Sequence, residues 1–200
     1  MALINIFDFY NQIAEKYPES EMAFSGEIGA RRSQIVADII SKEKGLLLDV
    51  GCHDGHWAPV VQDYVGLDFA LPCLKRFSKP RVWADALRIP FRNGCFSTVL
   101  ASEVMEHIYH HKRLLKEFNR VLKPEGKLLL SVPHGDNPWK TIYFPDFSDY
   151  GIPNREYLHG SFNEEYLQAL CGSTGFSIDG FQKIKDSYIL LVFAHKVKKV

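Results

Sequence analysis

Short apolar runs alternate with segments of helical period along most of the chain. That pattern predicts an α/β fold, with helices packed on both faces of a mostly parallel sheet. Leu46-Leu47-Leu48-Asp49-Val50 reads as a buried first strand entering a glycine-containing turn. Further strands are expected at 64–67, 81–84, 97–102, 126–132, 176–182 and 187–195. Between the fourth and fifth strands, Leu114, Leu115, Phe118, Val121 and Leu122 recur at helical spacing, with Lys112, Arg113, Lys116, Glu117 and Arg120 on other faces. A surface helix ending before Pro124 follows from that stripe. The N-terminal region carries two helical patterns, one through Ile6, Tyr10, Ile13 and Tyr17 and one through Ile28, Ile35, Val36, Ile39 and Ile40, with Pro18 and Gly26 between them. Asn163 is placed to cap a helix whose first turn holds Glu164 and Glu165, with Phe162 and Leu167 as a hydrophobic staple and Gly175 at the stop. Only Lys183 to Ser187 separates the last two strands, so they should form an antiparallel hairpin on the sheet edge.

Composition narrows the function classes. Lys+Arg and Asp+Glu both number 24 in the 200 residues, so no global field exists to hold a polyanion, and nucleic acid is a disfavoured partner. The longest apolar run, Tyr188 to Ala194, is seven residues, well short of the roughly 20 that a membrane helix needs. The first residues lack the basic start and apolar stretch of a signal peptide, and Cys52, Cys73, Cys95 and Cys171 form no CxxC pair. A reduced, cytoplasmic protein without a thiolate zinc site is expected.

The chemistry concentrates at strand ends. Asp49-Val50-Gly51-Cys52-His53-Asp54-Gly55 follows the first strand, where open α/β sheets bind ligands. Gly51 permits a sharp turn and Gly55 a close backbone approach. The turn lacks both the full dinucleotide glycine pattern and the Lys-Ser/Thr of a phosphate-cradling loop, so a nicotinamide-dependent oxidoreductase is disfavoured. An acid facing a glycine turn suits a cationic amine. Asp68 closes the second strand, where a carboxylate accepts ribose hydroxyls, and Asp85 ends the third, where it can accept from an exocyclic amine. Each of these two acids also suits a helix cap or a turn. Cys52 and Cys95 read as packed small hydrophobes, Trp57 and Trp83 as core or cleft wall, and Lys112, Arg113, Lys116 and Lys123 as a solvated helix face.

With these strings in order, residues 45–195 resemble the class I S-adenosylmethionine-dependent methyltransferases, in particular the small single-domain members with varied small-molecule acceptors. The resemblance rests on Leu48-Asp49-Val50-Gly51-Cys52-x-x-Gly55, Gly66-Leu67-Asp68, Asp85-Ala86-Leu87-Arg88-Ile89-Pro90-Phe91 followed by Phe96, Glu103-Val104-Met105-Glu106-His107, and Leu122-Lys123-Pro124-Glu125-Gly126 with the apolar run after it. It implies a Rossmann-like, seven-stranded, mostly parallel sheet with an antiparallel C-terminal strand. It further implies one domain: an N-terminal helical cap (1–44), a cofactor-binding core (45–132), a substrate lid or loop (133–161), and a C-terminal helix and hairpin (162–200). The cofactor is then S-adenosyl-L-methionine, with S-adenosyl-L-homocysteine as product. Asp49 and Gly51 would line its methionine part, Asp68 the ribose, and Asp85 with Ala86 the adenine, while Cys52, His53, Gly55, Phe69 and Ser102 complete the cradle. Three positions depart from the family pattern: His53 and Glu125 stand where glycine is common, and Ser97 where aspartate is usual.

Methyl transfer to an acceptor oxygen or nitrogen needs a base only if the acceptor arrives protonated, and His107, then His134, are the candidates for that role. Glu103, Glu106 and His107 at i, i+3 and i+4 would share one helix face, and with His159 they form a minor candidate metal set; the string is similar to the metal motif of small-RNA 2′-O-methyltransferases and some quinone-pathway O-methyltransferases. No metal is assigned. Tyr10, Tyr17, Phe24, Trp139, Tyr143, Phe144, Phe147, Tyr150 and Tyr157 could roof a pocket for a small, partly apolar acceptor. The competing expectation is a catalytically silent cofactor-binding module, motivated by His53. A monomer or a homodimer is expected.

Overall fold

The structure is a computed structural model, and it describes residues 10–12, 14–15, 26–76, 78–135 and 162–198. The strands are β1 (Leu47–Val50), β2 (Tyr64–Asp68), β3 (Arg81–Trp83), β4 (Phe96–Ser102), β5 (Leu122–Pro133), β6 (Phe176–Lys183) and β7 (Ile189–Lys196). The helices are α1 (Gly26–Ile40), the short α2 (Leu71–Leu74), α3 (His111–Val121) and α4 (Glu164–Ser173). They build one seven-stranded sheet in the order β3-β2-β1-β4-β5-β7-β6. Pairings from β3 through β5 are parallel, and β7 runs antiparallel to both β5 and β6. The expected α/β, Rossmann-like class and the terminal hairpin are therefore present. The order reverses between β1 and β4, and the crevice at their carboxyl ends is the ligand position of such sheets.

Strand alternation sorts the side chains between two cores. Leu48, Val50, Leu67, Val99 and Ala101 meet the buried faces of α3 and α4, whose stripe of Leu114, Leu115, Phe118 and Val121 is fully buried. Leu47, Tyr64, Leu100, Leu129 and Leu191 meet Val36 and Ile40 of α1 on the other side. By the same alternation Asp49, Gly66, Asp68, Ser102 and Ser131 fall on the α1 side, near the strand tips. The polar residues of the sheet thus gather on one face at one end.

Several expectations need correction. Leu122 is not the last residue of the helix; it opens β5 by pairing with Phe96, and a register irregularity between Phe96 and Thr98 absorbs the early start. In that strand Glu125 adopts φ +60°, so a non-glycine residue carries the left-handed turn, while a Cβ at Gly126 would lie 2.9 Å from the Lys123 carbonyl oxygen. Trp83 is 60% exposed and so not a core residue, with its indole N–H donating to the Phe69 carbonyl at 2.7 Å. Lys123 is exposed as expected but lies in β5 rather than on the helix face, and its ammonium donates to Ser97 Oγ at 3.2 Å. Arg120 of α3 ties the segment after β3 to the body, donating to the Ile89 and Phe91 carbonyls at 2.7 Å each. The cap on α4 forms as expected, with Asn163 Oδ1 accepting from the Tyr166 N–H at 2.7 Å. The lid assigned to 133–161 lies almost wholly outside the described residues, as does His159.

Candidate cofactor and acceptor site

The turn after β1 is built from left-handed backbone. Gly51 has φ +71°, His53 +48° and Gly55 +81°, and the Gly51 and Cys52 amides both donate to the Leu67 carbonyl, at 2.8 and 3.1 Å. Glycine is required at 51, because a Cβ there would lie 2.5 Å from Cγ2 of Val104. That close approach seats the segment after β4 directly against the turn. His53 keeps the turn without glycine, histidine being among the residues that tolerate this region. After the turn the chain makes a single 3₁₀ turn, Ala58–Val60.

Asp49 is fully buried and accepts from the Tyr64 hydroxyl at 2.6 Å. Burial pushes its carboxyl up to about 7, the Tyr64 bond pulls it down, and the nearby charge of Asp68 pushes it further up. Asp68 is buried at the tip of β2; Oδ2 accepts from the His53 N–H at 2.8 Å and Oδ1 from the Ala70 N–H at 2.7 Å. Burial raises its carboxyl above the usual range, against these amide bonds. Asp85 is exposed at the adjoining strand end, with Oδ1 accepting from the Leu87 N–H at 2.8 Å, and Ala86 beside it is half-buried. The structure therefore brings Asp49 and Asp68 together on one sheet face and leaves Asp85 on the surface one strand over.

The raised Asp49 carboxyl has a defined consequence for stability. Between its ordinary value near 4 and about 7 the native state holds a proton that the unfolded chain has released, so stability falls as pH rises through that window and levels off above it. The slope from this one group approaches about 1.4 kcal/mol per pH unit. Asp49→Asn keeps an acceptor for Tyr64 and is expected to flatten that part of the curve. Melting temperatures measured from pH 4 to 8 on both proteins check it, and parallel curves would refute it.

At the tip of β4, Ser102 Oγ and Ser131 Oγ lie 2.9 Å apart, and Ser131 donates to Glu103 Oε1 at 2.8 Å. Glu103 has φ +55°, and residues 105–107 form one 3₁₀ turn, so Glu103, Glu106 and His107 do not share an α-helix face as expected. Strand-end geometry wins there because Glu103 donates its backbone N–H to the Ser131 carbonyl, at 3.0 Å, continuing the sheet. Among the described residues no group of three His, Cys, Asp or Glu side chains is arranged to hold a metal ion. Glu106 is 1% exposed, and its Oε2 has no hydrogen-bond partner among the described residues. Burial first, and then the charge of Glu103, push its carboxyl well above the usual range, which favours the neutral acid; its Oε1 lies 3.9 Å from His107 Nε2. The Tyr10 ring stands edge-on to both Phe69 and His107, with centroids at 5.0 and 5.9 Å, so the N-terminal segment bridges these two positions. Of the aromatic roof, Tyr10 alone falls among the described residues. His134 Nδ1 donates to the Phe162 carbonyl at 3.1 Å, which makes Nε2 its basic atom.

Sequence reasoning missed Tyr64, His111 and Arg32. His111 bridges the Met105 carbonyl (3.0 Å) and the Tyr166 hydroxyl (2.9 Å), fixing the turn that carries His107. Arg32 is only 5% exposed and reaches Glu103, Nη1 to Oε2, at 3.8 Å. A signal existed for it: Arg32 sits four residues before Val36 and eight before Ile40, on the buried stripe of α1.

A methyltransferase domain family model matches residues 24–179. The chain belongs to the class I S-adenosylmethionine-dependent methyltransferase family. An uncharacterised protein of Methanocaldococcus jannaschii is 32% identical over 73% of this chain and 68% of its own length. The demethylmenaquinone methyltransferase of Renibacterium salmoninarum is 30% identical over 67% of this chain and 62% of its own. Across the first four curated relatives it matches, the alignment spans 52% to 68% of their lengths. The solved S-adenosylmethionine-dependent methyltransferase of Thermotoga maritima superimposes with a TM-score of 0.71 over 96% of this chain and all of that one, at 15% identity, a likeness of fold.

The residues of this methyltransferase domain fit the family's cofactor. S-adenosylmethionine carries cationic sulfonium and ammonium groups and a ribose diol. Asp49 and Asp68 bring two carboxylates to one face beside the glycine turn. Asp68 accepts from the amides of His53 and Ala70 and is also hydrogen-bonded by the backbone of Phe69, and a carboxylate has about four lone-pair sites, so acceptor capacity remains for a ribose hydroxyl. Among the described residues no helix is long and apolar enough to cross a membrane.

Proposed function

We propose that this chain transfers a methyl group from S-adenosylmethionine to an oxygen or nitrogen of a small, partly apolar acceptor. The observation that carries this reading is the convergence of Asp49 and Asp68 on one sheet face at the tips of adjacent parallel strands, beside a left-handed turn at Gly51. In this reading Asp68 holds the ribose, the turn at 51–55 and Ser102 flank the methionine part, and Asp85 with Ala86 meets the adenine. The cofactor supplies a methyl group already activated on a sulfonium. The chain's contribution is to hold the acceptor in line, at about 3–3.5 Å from that methyl, with water kept out. Nε2 of His134 can take a proton from a hydroxyl acceptor while Nδ1 stays fixed on the Phe162 carbonyl. His107, beside Tyr10 and Glu106, is the alternative base.

S-adenosylhomocysteine is expected to raise the melting temperature, because a ligand bound only by the native state stabilises it, and NAD is not. A shift with NAD alone would overturn the assignment. Single-turnover transfer over a panel of phenols, hydroxy acids and amines then identifies the acceptor atom. Repeating the melts with Mg²⁺ or Mn²⁺ tests whether Glu103, Glu106, His107 and His159 assist as a metal set. A second reading, a cofactor-binding module without transfer, is motivated by His53, a non-glycine residue at φ +48° in the turn. Tight binding with no transfer to any acceptor would select it.

A further inference from the structure

We infer that the open groove between α3, the loop before it and α4 is a phosphate-binding subsite for the methyl acceptor, so that the molecule methylated carries a phosphomonoester. This rests on the proposed transfer reading and names the substrate class within it. The groove has a volume of about 580 Å³, within the range of small-molecule sites, and neither Asp nor Glu lines it.

Lys112, Arg113 and Lys116 edge this groove and are all exposed, in a chain whose formal net charge is zero. Lys112 and Lys116 stand four residues apart on α3 and so share a face. Neither has a hydrogen-bond or ion-pair partner among the described residues. Glu117 feels the charge of Arg113, but it is bonded to Arg120 at 2.8 Å, and Glu164 of α4 pairs with Lys183 at 3.4 Å. A helix face serving only solubility needs neither a hollow beside its cations nor aromatic walls around them. Tyr109, 68% exposed, and Tyr166, 43% exposed, supply such walls. His111 fixes one of them in advance, bonding the Tyr166 hydroxyl at 2.9 Å and the Met105 carbonyl at 3.0 Å.

The groove also adjoins both candidate bases. Tyr109 follows His107 by two residues, which keeps their Cα atoms within about 7 Å. On the other side the Phe162 ring packs against His111 and Tyr166, with centroids at 5.2 and 6.2 Å, while the Phe162 carbonyl accepts from His134 Nδ1. An acceptor anchored in the groove thus extends its hydroxyl or amine toward the tips of β4 and β5, where methyl transfer is proposed. A phosphomonoester carries a charge of about −1.5 to −2 near neutral pH and three acceptor oxygens, enough to engage all three cations, and Arg113 can bind two of those oxygens at once. A carboxylate, with one charge, leaves most of the patch unbalanced.

The test titrates three probes into the full chain by calorimetry: phenyl phosphate, benzoate and benzyl alcohol. Exposed ion pairs are individually weak, but three together are expected to make phenyl phosphate bind about tenfold tighter than benzyl alcohol and about threefold tighter than benzoate. The triple variant Lys112→Gln/Arg113→Gln/Lys116→Gln should cut the preference over benzyl alcohol to under about threefold, with the affinity for S-adenosylhomocysteine unchanged within about threefold. Its melting temperature should stay within about 5 °C, because all three side chains are exposed. In single-turnover transfer, 4-hydroxyphenyl phosphate should half-saturate the protein at a concentration about tenfold below that of hydroquinone, and the variant should lose this difference while keeping its maximal rate. Equal affinity of the unaltered protein for phenyl phosphate and benzyl alcohol overturns the subsite, as does a preference that survives in the triple variant. Benzoate binding as tightly as phenyl phosphate overturns the phosphate assignment. Failure of S-adenosylhomocysteine to bind refutes the transfer reading and with it the acceptor role, whereas its binding without any preference for phenyl phosphate refutes the subsite alone.

Discussion

Asp68→Ala is expected to weaken S-adenosylhomocysteine binding by about 100-fold or more, the largest loss of affinity of any single change in the cradle. Hydrogen bonds to a charged group contribute about 1.5–3 kcal/mol each, and the ribose offers two. The same carboxylate also accepts from the His53 and Ala70 amides, at 2.8 and 2.7 Å, so its removal loosens the glycine turn and the start of α2 together. A buried donor left without an acceptor costs about 1–3 kcal/mol; the Ala70 amide is buried and that of His53 half-buried, and the melting temperature should fall with the affinity. Asp68→Asn separates these effects, since it keeps one acceptor for an amide and loses the charge. Calorimetric titration of folded protein, scored by its stoichiometry, checks the prediction. A dissociation constant within threefold of the unaltered value for Asp68→Ala would remove the ribose role.

The second large effect is on the fold. Gly51→Ala should destabilise the protein by about 2–5 kcal/mol, from two separate causes. A side chain at φ +71° costs about 1–2 kcal/mol, and a Cβ placed 2.5 Å from Cγ2 of Val104 forces an overpacking strain of about 1–3 kcal/mol. For a domain of this size that corresponds to a melting temperature lower by about 5–15 °C. Val104→Ala in the same chain relieves the second cause and not the first, so the double variant should recover roughly half of the loss. Thermal denaturation of the three proteins measures it. A fall of under about 2 °C for Gly51→Ala would mean that Val104 does not pin the turn.

Much of the scaffold was legible along the chain because local rules governed it. Leu48 to Gly51 reads as a strand entering a turn since apolar residues precede a glycine that must take a left-handed angle. The stripe of Leu114, Leu115, Phe118 and Val121 reads as a helix because those positions alone share a face. Asn163 caps α4 through a bond to Tyr166, three residues on. The failures lie where a distant segment overrode the local pattern. Glu103, Glu106 and His107 have helical spacing, yet the chain at Glu103 is captured by Ser131 of β5 through both backbone and side chain, which holds the strand geometry. Leu122 continues the helical stripe, and its pairing with Phe96 makes it a strand residue instead. Trp83 is apolar enough for the core, but β3 is an edge strand and leaves it exposed.

The sequence alone determined the α/β class, the parallel core with its antiparallel end, the left-handed turn at Gly51 and the placing of Asp49, Asp68 and Asp85 at the ends of successive strands. Each of these depends on residue type, spacing and short-range backbone sterics. Only the tertiary structure decided that Tyr64 bonds Asp49, that Arg32 of α1 faces Glu103 at the tip of β4, and that Asp49 and Glu106 are buried deeply enough to hold their protons at higher pH. Desolvation and ion pairing depend on which surfaces meet when the layers close, and that is a property of the packed whole that no local stretch of chain encodes.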